Sequence, residues 1–193
     1  MIAPSPKIKK AALVIGKTLA FRCAAVEDAS FILSLRTNVE KSRYLSPVSS
    51  RLSDQQTWLE RYTHSEDQSY FIIEYCYEPI GTVRLYDAQN DSFCWGSWIL
   101  QNGLPRHVAI ESALMVYAYA VDHLGFSAAH FDVRKGNQRV WQFHERFGAV
   151  RTGETELDYL YRLDLSAIHA ARVRYEKYLH NGVQVTFDHE KLI

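Results

Sequence analysis

The sequence predicts a mixed α/β fold with an antiparallel half and at least one crossover, and three observations carry that prediction. Three strand-like runs follow one another almost without interruption: SYFIIEYCY (69–77), IGTVRLYD (80–87) and SFCWGSWIL (92–100), joined only by EP and AQND. Links this short imply an antiparallel meander. A long helical period follows, with Ala109, Ile110, Ala113, Leu114, Tyr117, Ala120, Val121 and Leu124 recurring at three and four and Gly125 as its C-terminal stop. Beyond it the chain returns to strand sequence at AAHFDV (128–133), which makes the long helix a crossover.

Taken in order, Lys7, Lys9 and Lys10 precede AALVIG, a run too short for a leader, and residues 1–17 read as an N-terminal extension. TLAFRCA (18–24) alternates as a strand. VEDASFILSLRTN shifts to helical spacing through Ala29, Ile32, Leu33 and Arg36. EKSRYLSPVSSR has no period and reads as a loop; Ser53, three before Gln56, is a capping-box start for a helix with Trp58, Leu59 and Tyr62 on its apolar side. After the meander and the long helix, KGN is a turn, and QRVWQFHERF is a short helix stopped by Gly148. AVRTGE and ELDYLYRLDL are strands, and SAIHAARVRYEKYL is a late helix with Ile168, Ala171, Tyr175 and Tyr178 on one face. Residues 18–163 are thus expected to form one domain, with 164–193 as a helix and tail packed on it.

Composition narrows the function classes. With 193 residues, 47% of them hydrophobic, the chain suits one substantial core. Lys plus Arg and Asp plus Glu balance at 22 each, so no global field draws the protein to nucleic acid or to an anionic membrane, and an anion site must be local. Cys23, Cys76 and Cys94 lie in apolar runs without C-x-x-C spacing, which predicts buried thiols rather than disulfides or a metal site. No apolar stretch approaches the length of a membrane span, so a soluble cytoplasmic protein is expected.

WGSWIL leading through a turn into the long helix, with DVRKGNQRVWQFHERFGA after it, resembles the GCN5-related N-acetyltransferase (GNAT) family over about residues 18–163. The branch it is most similar to contains ribosomal-protein N-terminal acetyltransferases and the amino-sugar acetyltransferases of surface-glycan pathways, with SYFIIE, IGTVRLYD and FDVRKGN suggesting the sugar side. The resemblance implies a central, mostly antiparallel sheet with a splayed strand pair, helices on both faces, and acetyl-CoA as co-substrate without a metal. A strand like residues 95–100 parts from its neighbour in such enzymes and receives the pantetheine arm, which assigns Trp98, Ile99 and Leu100 to the donor. The family turn Q/R-x-x-G-x-G/A wraps the pyrophosphate; here Leu104 takes the first place, His107 the first glycine and Ala109 the last position, so only Ala109 fits. The amides of Arg106, His107, Val108 and Ala109 at a helix N-terminus, with the Arg106 charge, are the remaining means of holding a phosphate. The alternative is an ordinary solvated turn. Asn137 matches the family asparagine, and His144 falls where the family often carries tyrosine.

Transfer of an acetyl group to an amine needs a neutral amine, donors for the developing oxyanion and a proton for the departing thiolate. Backbone N–H groups around Ile99 and Leu100 would serve the oxyanion. His144 is the expected acid, although its helical position also suits a core histidine; its ordinary pKa of about 6.5 would make the rate decline with rising pH. Glu111, on the long helix, is an expected base or simply an acid favouring the helix dipole, with Asp87 and Asp91 as other acidic groups near the meander turn. Ser97, predicted to share a strand face with Trp95 and Ile99, would bond substrate or relay a proton. Arg43, Tyr44 and Trp58 are expected to shape the acceptor site, with stacking on the rings and charge on the arginine, or else to divide between loop and core.

The reading is therefore an acetyl-CoA-dependent N-acetyltransferase acting directly on a small-molecule amine, with a nucleotide-linked amino sugar as the leading acceptor. A protein N-terminus is the other acceptor. A third reading is a GNAT-fold module that has lost its donor and works through protein contacts on the helix at 166–179, whose tyrosines also suggest a homodimer face.

Overall fold

Residues 5–187 are described by a computed structural model. Within them the chain runs β1 (Ala11–Ile15), β2 (Leu19–Cys23), α1 (Ala29–Arg36), α2 (Val39–Ser42), α3 (Leu52–His64), β3 (Ser69–Tyr75), β4 (Glu78–Gln89) and β5 (Ser92–Leu100). It continues with α4 (Arg106–Ala118), β6 (Ala128–Arg134), α5 (Gln138–Arg146), β7 (Val150–Glu154), β8 (Asp158–Asp164), α6 (Leu165–Arg174) and β9 (Gln184–Phe187). All nine strands join one sheet in the order β7-β8-β6-β5-β4-β3-β2-β1-β9. Every neighbouring pair is antiparallel except β5 and β6. The long helix α4 makes that parallel connection, which a short turn could not span.

The sheet is covered on both faces. On one, α4, α5 and α6 bury Val108, Leu114, Phe147, Ile168 and Ala171 against Phe21, Phe71, Phe93 and Tyr161. On the other, α1 and α3 close a smaller cluster of Ile32, Leu59, Tyr62, Tyr70 and Ile72. Burial of these side chains supplies most of the drive to fold, at about 1.5–3 kcal/mol for each large apolar residue.

Several expectations change. The AALVIG run forms β1, and β9 pairs with it, so the sheet extends past residue 18 on that side. Part of the predicted loop is helical: Asn38 caps α2 by accepting from the amides of Glu40 and Lys41. Helix α3 begins at Leu52 with Arg51 as an N-cap that lends no side-chain bond, so the Ser53 box does not form. Cys76 is exposed at the β3–β4 turn, at φ 52°, instead of buried. The late-helix tyrosines turn inward: Tyr175 stacks on Phe147 with ring centroids 4.9 Å apart. No helix among the described residues is long and apolar enough to cross a membrane, and no group of three metal-binding side chains occurs among them.

Candidate active site

The site begins where two strands part. β5 and β6 pair only from Ser92, Phe93 and Cys94 to Ala128, Ala129 and His130; β5 then runs on to Leu100 and β6 to Arg134 without further pairing between the two. Between the diverging ends lies a cleft of about 670 Å³, open mouth included, lined among others by Tyr44, Trp95, Asp132, Asn137 and His144. A bulge in β5 shapes one wall: the register with β4 slips between Arg84↔Gly96 and Thr82↔Ile99, and Ser97 takes φ 48°. Thr82 holds the bulge by donating its hydroxyl to the Ser97 carbonyl at 2.7 Å.

The extra residue breaks the alternation along β5. Trp95 and Trp98, three apart, come together with ring centroids 5.4 Å apart, and both meet His144. Ser97 does not share the Trp95 side; its hydroxyl is 3.5 Å from the Arg36 guanidinium. Trp98 donates its indole N–H to the Ser112 hydroxyl on α4, Ile99 is buried, and the Leu100 carbonyl accepts from Lys41. Lys41 also donates to the Asn102 side chain, tying α2 to the turn before α4.

His144 is 5% exposed, enclosed by Phe131, Trp95, Trp98 and Phe143. Its Nδ1 is buried without a hydrogen-bond partner. Desolvation by these rings lowers its pKa to about 3. The imidazole is therefore neutral throughout the physiological range, which removes the expected cationic acid and its decline in rate with rising pH. What it retains is one N–H and one lone pair. The same shift makes a stability prediction: below pH 6.5 the unfolded chain takes up a proton that the folded protein refuses, down to about pH 3. Stability from this group is thus complete above pH 6.5 and falls as pH drops. Urea denaturation is expected to show about 2 kcal/mol less stability at about pH 5 than at about pH 8 from this side chain, a difference that His144→Phe abolishes. An unchanged pH slope in the variant would contradict the burial of a neutral ring.

The turn before α4 carries no hidden glycine loop. Gly103, at φ 78°, supplies its left-handed residue, and Pro105 is an N-cap without a side-chain bond. His107 lies inside the first turn of α4, where no positive φ is required, so its side chain brings no left-handed strain. Its ring faces Tyr75 at 5.7 Å and its Nε2 is buried without a partner. The Val108 amide is already bonded to the Pro105 carbonyl at 3.1 Å, whereas the Arg106 side chain is exposed. Asn137 is the N-cap of α5; its side chain makes no capping bond, and the residue lines the cleft.

Glu111 stands apart from this constellation. It is 1% exposed and accepts from the Thr18 amide and hydroxyl, each at 2.6 Å, and from the Leu19 amide at 3.0 Å. Those bonds make it an anchor for the β1–β2 turn. Tyr44 reaches the cleft, with the exposed Arg43 guanidinium 5.0 Å from its ring. Trp58 does not join them; it stacks on Tyr62 at 5.9 Å and lies 5.3 Å from the Arg84 guanidinium.

One acidic group was overlooked by sequence reasoning. Asp132 lies at the cleft, on a β6 flanked by the buried Phe131 and Val133. A polar residue alternating with two core residues in FDV is the signal that marked it. Desolvation, then the neighbouring Asp158 carboxylate, raise its pKa above the ordinary carboxylate value, while Arg134 opposes the rise. Solvent at the mouth limits the effect.

Residues 18–150 match the family model for the acetyltransferase (GNAT) domain. A solved structure described as apo FdhC, a nucleotide-linked sugar GNAT, is 34% identical, covering 92% of this chain and 99% of its own, with a TM-score of 0.77. The chain belongs to the GNAT acetyltransferases. A GCN5-related N-acetyltransferase from Brucella melitensis (16% identical; 91% of this chain and 89% of that one; TM-score 0.71) shares the fold. So does the Vibrio cholerae spermidine N-acetyltransferase solved with CoA and spermine (16%; 79% and 98%; TM-score 0.68). No match to a curated protein was found by sequence. As a member of this family the chain is an N-acetyltransferase, and the cleft between β5 and β6 is where its geometry concentrates reactive groups.

Proposed function

We propose that this GNAT enzyme takes acetyl-CoA as donor and the amine of a nucleotide-linked sugar as acceptor. The observation that carries the donor assignment is the parting of β5 from β6 after Cys94, which leaves the backbone of Trp98 and Ile99 unpaired on the β6 side. A thioester arm laid along that edge would find strand-type donors and acceptors. The N-terminus of α4, with the exposed Arg106 beside it and no side chain capping it, suits the donor's phosphates. The acceptor assignment draws on the likeness to the nucleotide-linked sugar GNAT, which spans nearly the whole of both chains.

In this reading the chain's groups divide the work by protonation state. Asp132, at the mouth and with its proton affinity raised by desolvation and by Asp158, takes the proton from the acceptor ammonium or the attacking amine. His144 stays neutral and contributes orientation through one ring N–H. Asn137 positions the donor from the start of α5. Trp95 and Trp98 exclude water from the inner end.

Acetyl-CoA at about a hundred times its Kd is expected to stabilise the fold by about 2.7 kcal/mol, a rise in unfolding midpoint of about 5–10 °C for a chain of this size. Thiol release is then followed with nucleotide-linked amino sugars, peptides bearing a free N-terminus and polyamines. Turnover confined to the nucleotide-linked amines is expected. Turnover of peptides or polyamines alone would overturn the acceptor, and absence of any shift with millimolar acetyl-CoA would overturn the donor.

A further inference from the structure

The half-buried arginines of this protein divide into two sets. Arg22 holds Asp28 and Glu74, Arg134 holds Asp158, Arg162 holds Asp91 and Asp164, and Arg172 holds Asp122. Arg36 and Arg84 are equally half-buried, and neither makes an ion pair among the described residues. Both have an Nε atom that is fully buried without a hydrogen-bond partner. The Arg84 guanidinium is held by rings instead, 5.3 Å from Trp58 and 4.7 Å from Tyr86. Arg36 donates to the Ser46 carbonyl at 3.2 Å and reaches the Ser97 hydroxyl at 3.5 Å.

Neither cation lines the cleft itself, but each lies against residues that do. Arg36 and Ser46 line a second hollow of about 580 Å³, and Leu45 and Ser46 line both that hollow and the cleft between β5 and β6. Arg84 lies opposite Gly96 in the β4–β5 register, and Gly96 lines the cleft. A side chain at Gly96 would meet the Tyr86 hydroxyl at 2.9 Å, so the glycine keeps the ring that supports Arg84 in place. Burial is the main influence disfavouring the charge of Arg84, and repulsion from the Arg36 guanidinium adds to it. The opposing influences come from the Tyr86 and Tyr70 hydroxyls and then from Asp67, which is exposed and not paired with it. A protein that neutralises its other half-buried arginines leaves this pair uncompensated beside an open cleft. Unpaired buried charge is costly, and an arriving anion with several oxygens removes that cost through charge-assisted bonds that two guanidinium forks are shaped to give.

We infer that Arg36 and Arg84 form an anion subsite that holds the phosphate oxygens of the acceptor. The inference rests on the nucleotide-linked acceptor proposed above and names what would recognise it. Trp58 then acts from behind, as the ring that positions Arg84.

The test uses protein saturated with CoA, so that the donor's own phosphate site is filled, titrated with inorganic pyrophosphate, uridine diphosphate and thymidine diphosphate. Wild type is expected to bind at least one of them, and Arg36→Met and Arg84→Met to weaken that binding by about tenfold or more. CoA affinity should stay the same in both variants. In the ligand-free protein Arg84→Met is expected to raise the unfolding midpoint, because an uncompensated charge has been removed; a merely structural arginine would lower it. Binding retained in both variants, or no binding of any probe by wild type, overturns the subsite. If nucleotide-linked amines are acetylated with KM unchanged in the variants, the subsite is wrong and the acceptor reading stands. If the probes bind through the two arginines and no nucleotide-linked amine is acetylated, the subsite stands and the acceptor reading is wrong.

Discussion

Asp132→Asn is expected to lower kcat by about a hundredfold or more while leaving the affinity for acetyl-CoA unchanged, because a proton must leave the amine before or during its attack. The carboxylate suits that task by position and by environment. It sits at the cleft mouth on β6, where an acceptor must pass, and partial desolvation together with Asp158 raises its proton affinity. A carboxylate with raised proton affinity takes a proton with less penalty than an ordinary surface carboxylate. The pH profile follows in sign: kcat/KM rises with pH as Asp132 loses its proton, on a limb displaced upward from that of an ordinary aspartate, and that limb disappears in the asparagine variant. Asp158→Asn should move the same limb toward lower pH, since it removes one of the two influences holding the Asp132 pKa up. Steady-state rates across the acid range check both. An unchanged kcat in Asp132→Asn would transfer the proton to ordered water and leave Asp132 without a catalytic part.

The legible parts of this protein were those with a strong local period. The meander 69–100 and the helix from Arg106 follow from alternation, short turns and a three-four repeat that tertiary packing only reinforced. β1 follows a lysine-rich stretch and is only five residues long; its local partner β2 is three residues on, but its other partner, β9, lies some 170 residues away, as the register of Val14 with Val185 shows. No local pattern announces a pairing of that separation. The site divides in the same way. Asn137 and His144 were found through the likeness of GNQRVWQFHERFG to the family's helix, but the protonation state of His144 depends on Trp95, Phe131 and Phe143, which converge from different elements. Ser97 was misplaced because a bulge adds a residue to the strand and inverts the faces that follow it. Arg36 and Arg84 look ordinary in sequence; only the absence of acidic partners among the described residues sets them apart.

Glu111→Ala is expected to cost about 3–5 kcal/mol of stability, a fall of about 10 °C in unfolding midpoint, because the substitution removes the shared acceptor of three donors, one of them fully buried. The Thr18 amide, the Thr18 hydroxyl and the Leu19 amide all end on this carboxylate. Thr18 is exposed and its hydroxyl can turn to water, whereas the Leu19 amide bond lies buried and finds no replacement. The turn is also pressed closely to the helix: a side chain at Gly16 would run into Met115 and come within 3.0 Å of the Glu111 carboxylate. Loss of the anchor therefore frees β1 and β2 from α4, and with β1 goes its pairing to β9. Glu111→Gln should cost less, since one acceptor oxygen remains, and at low temperature it should turn over at the wild-type rate per folded molecule. A catalytic base would give the opposite pattern, with a stable glutamine variant and a collapsed kcat. Thermal denaturation and initial rates on the same two variants separate these roles, because an anchor and a base fail in different measurements.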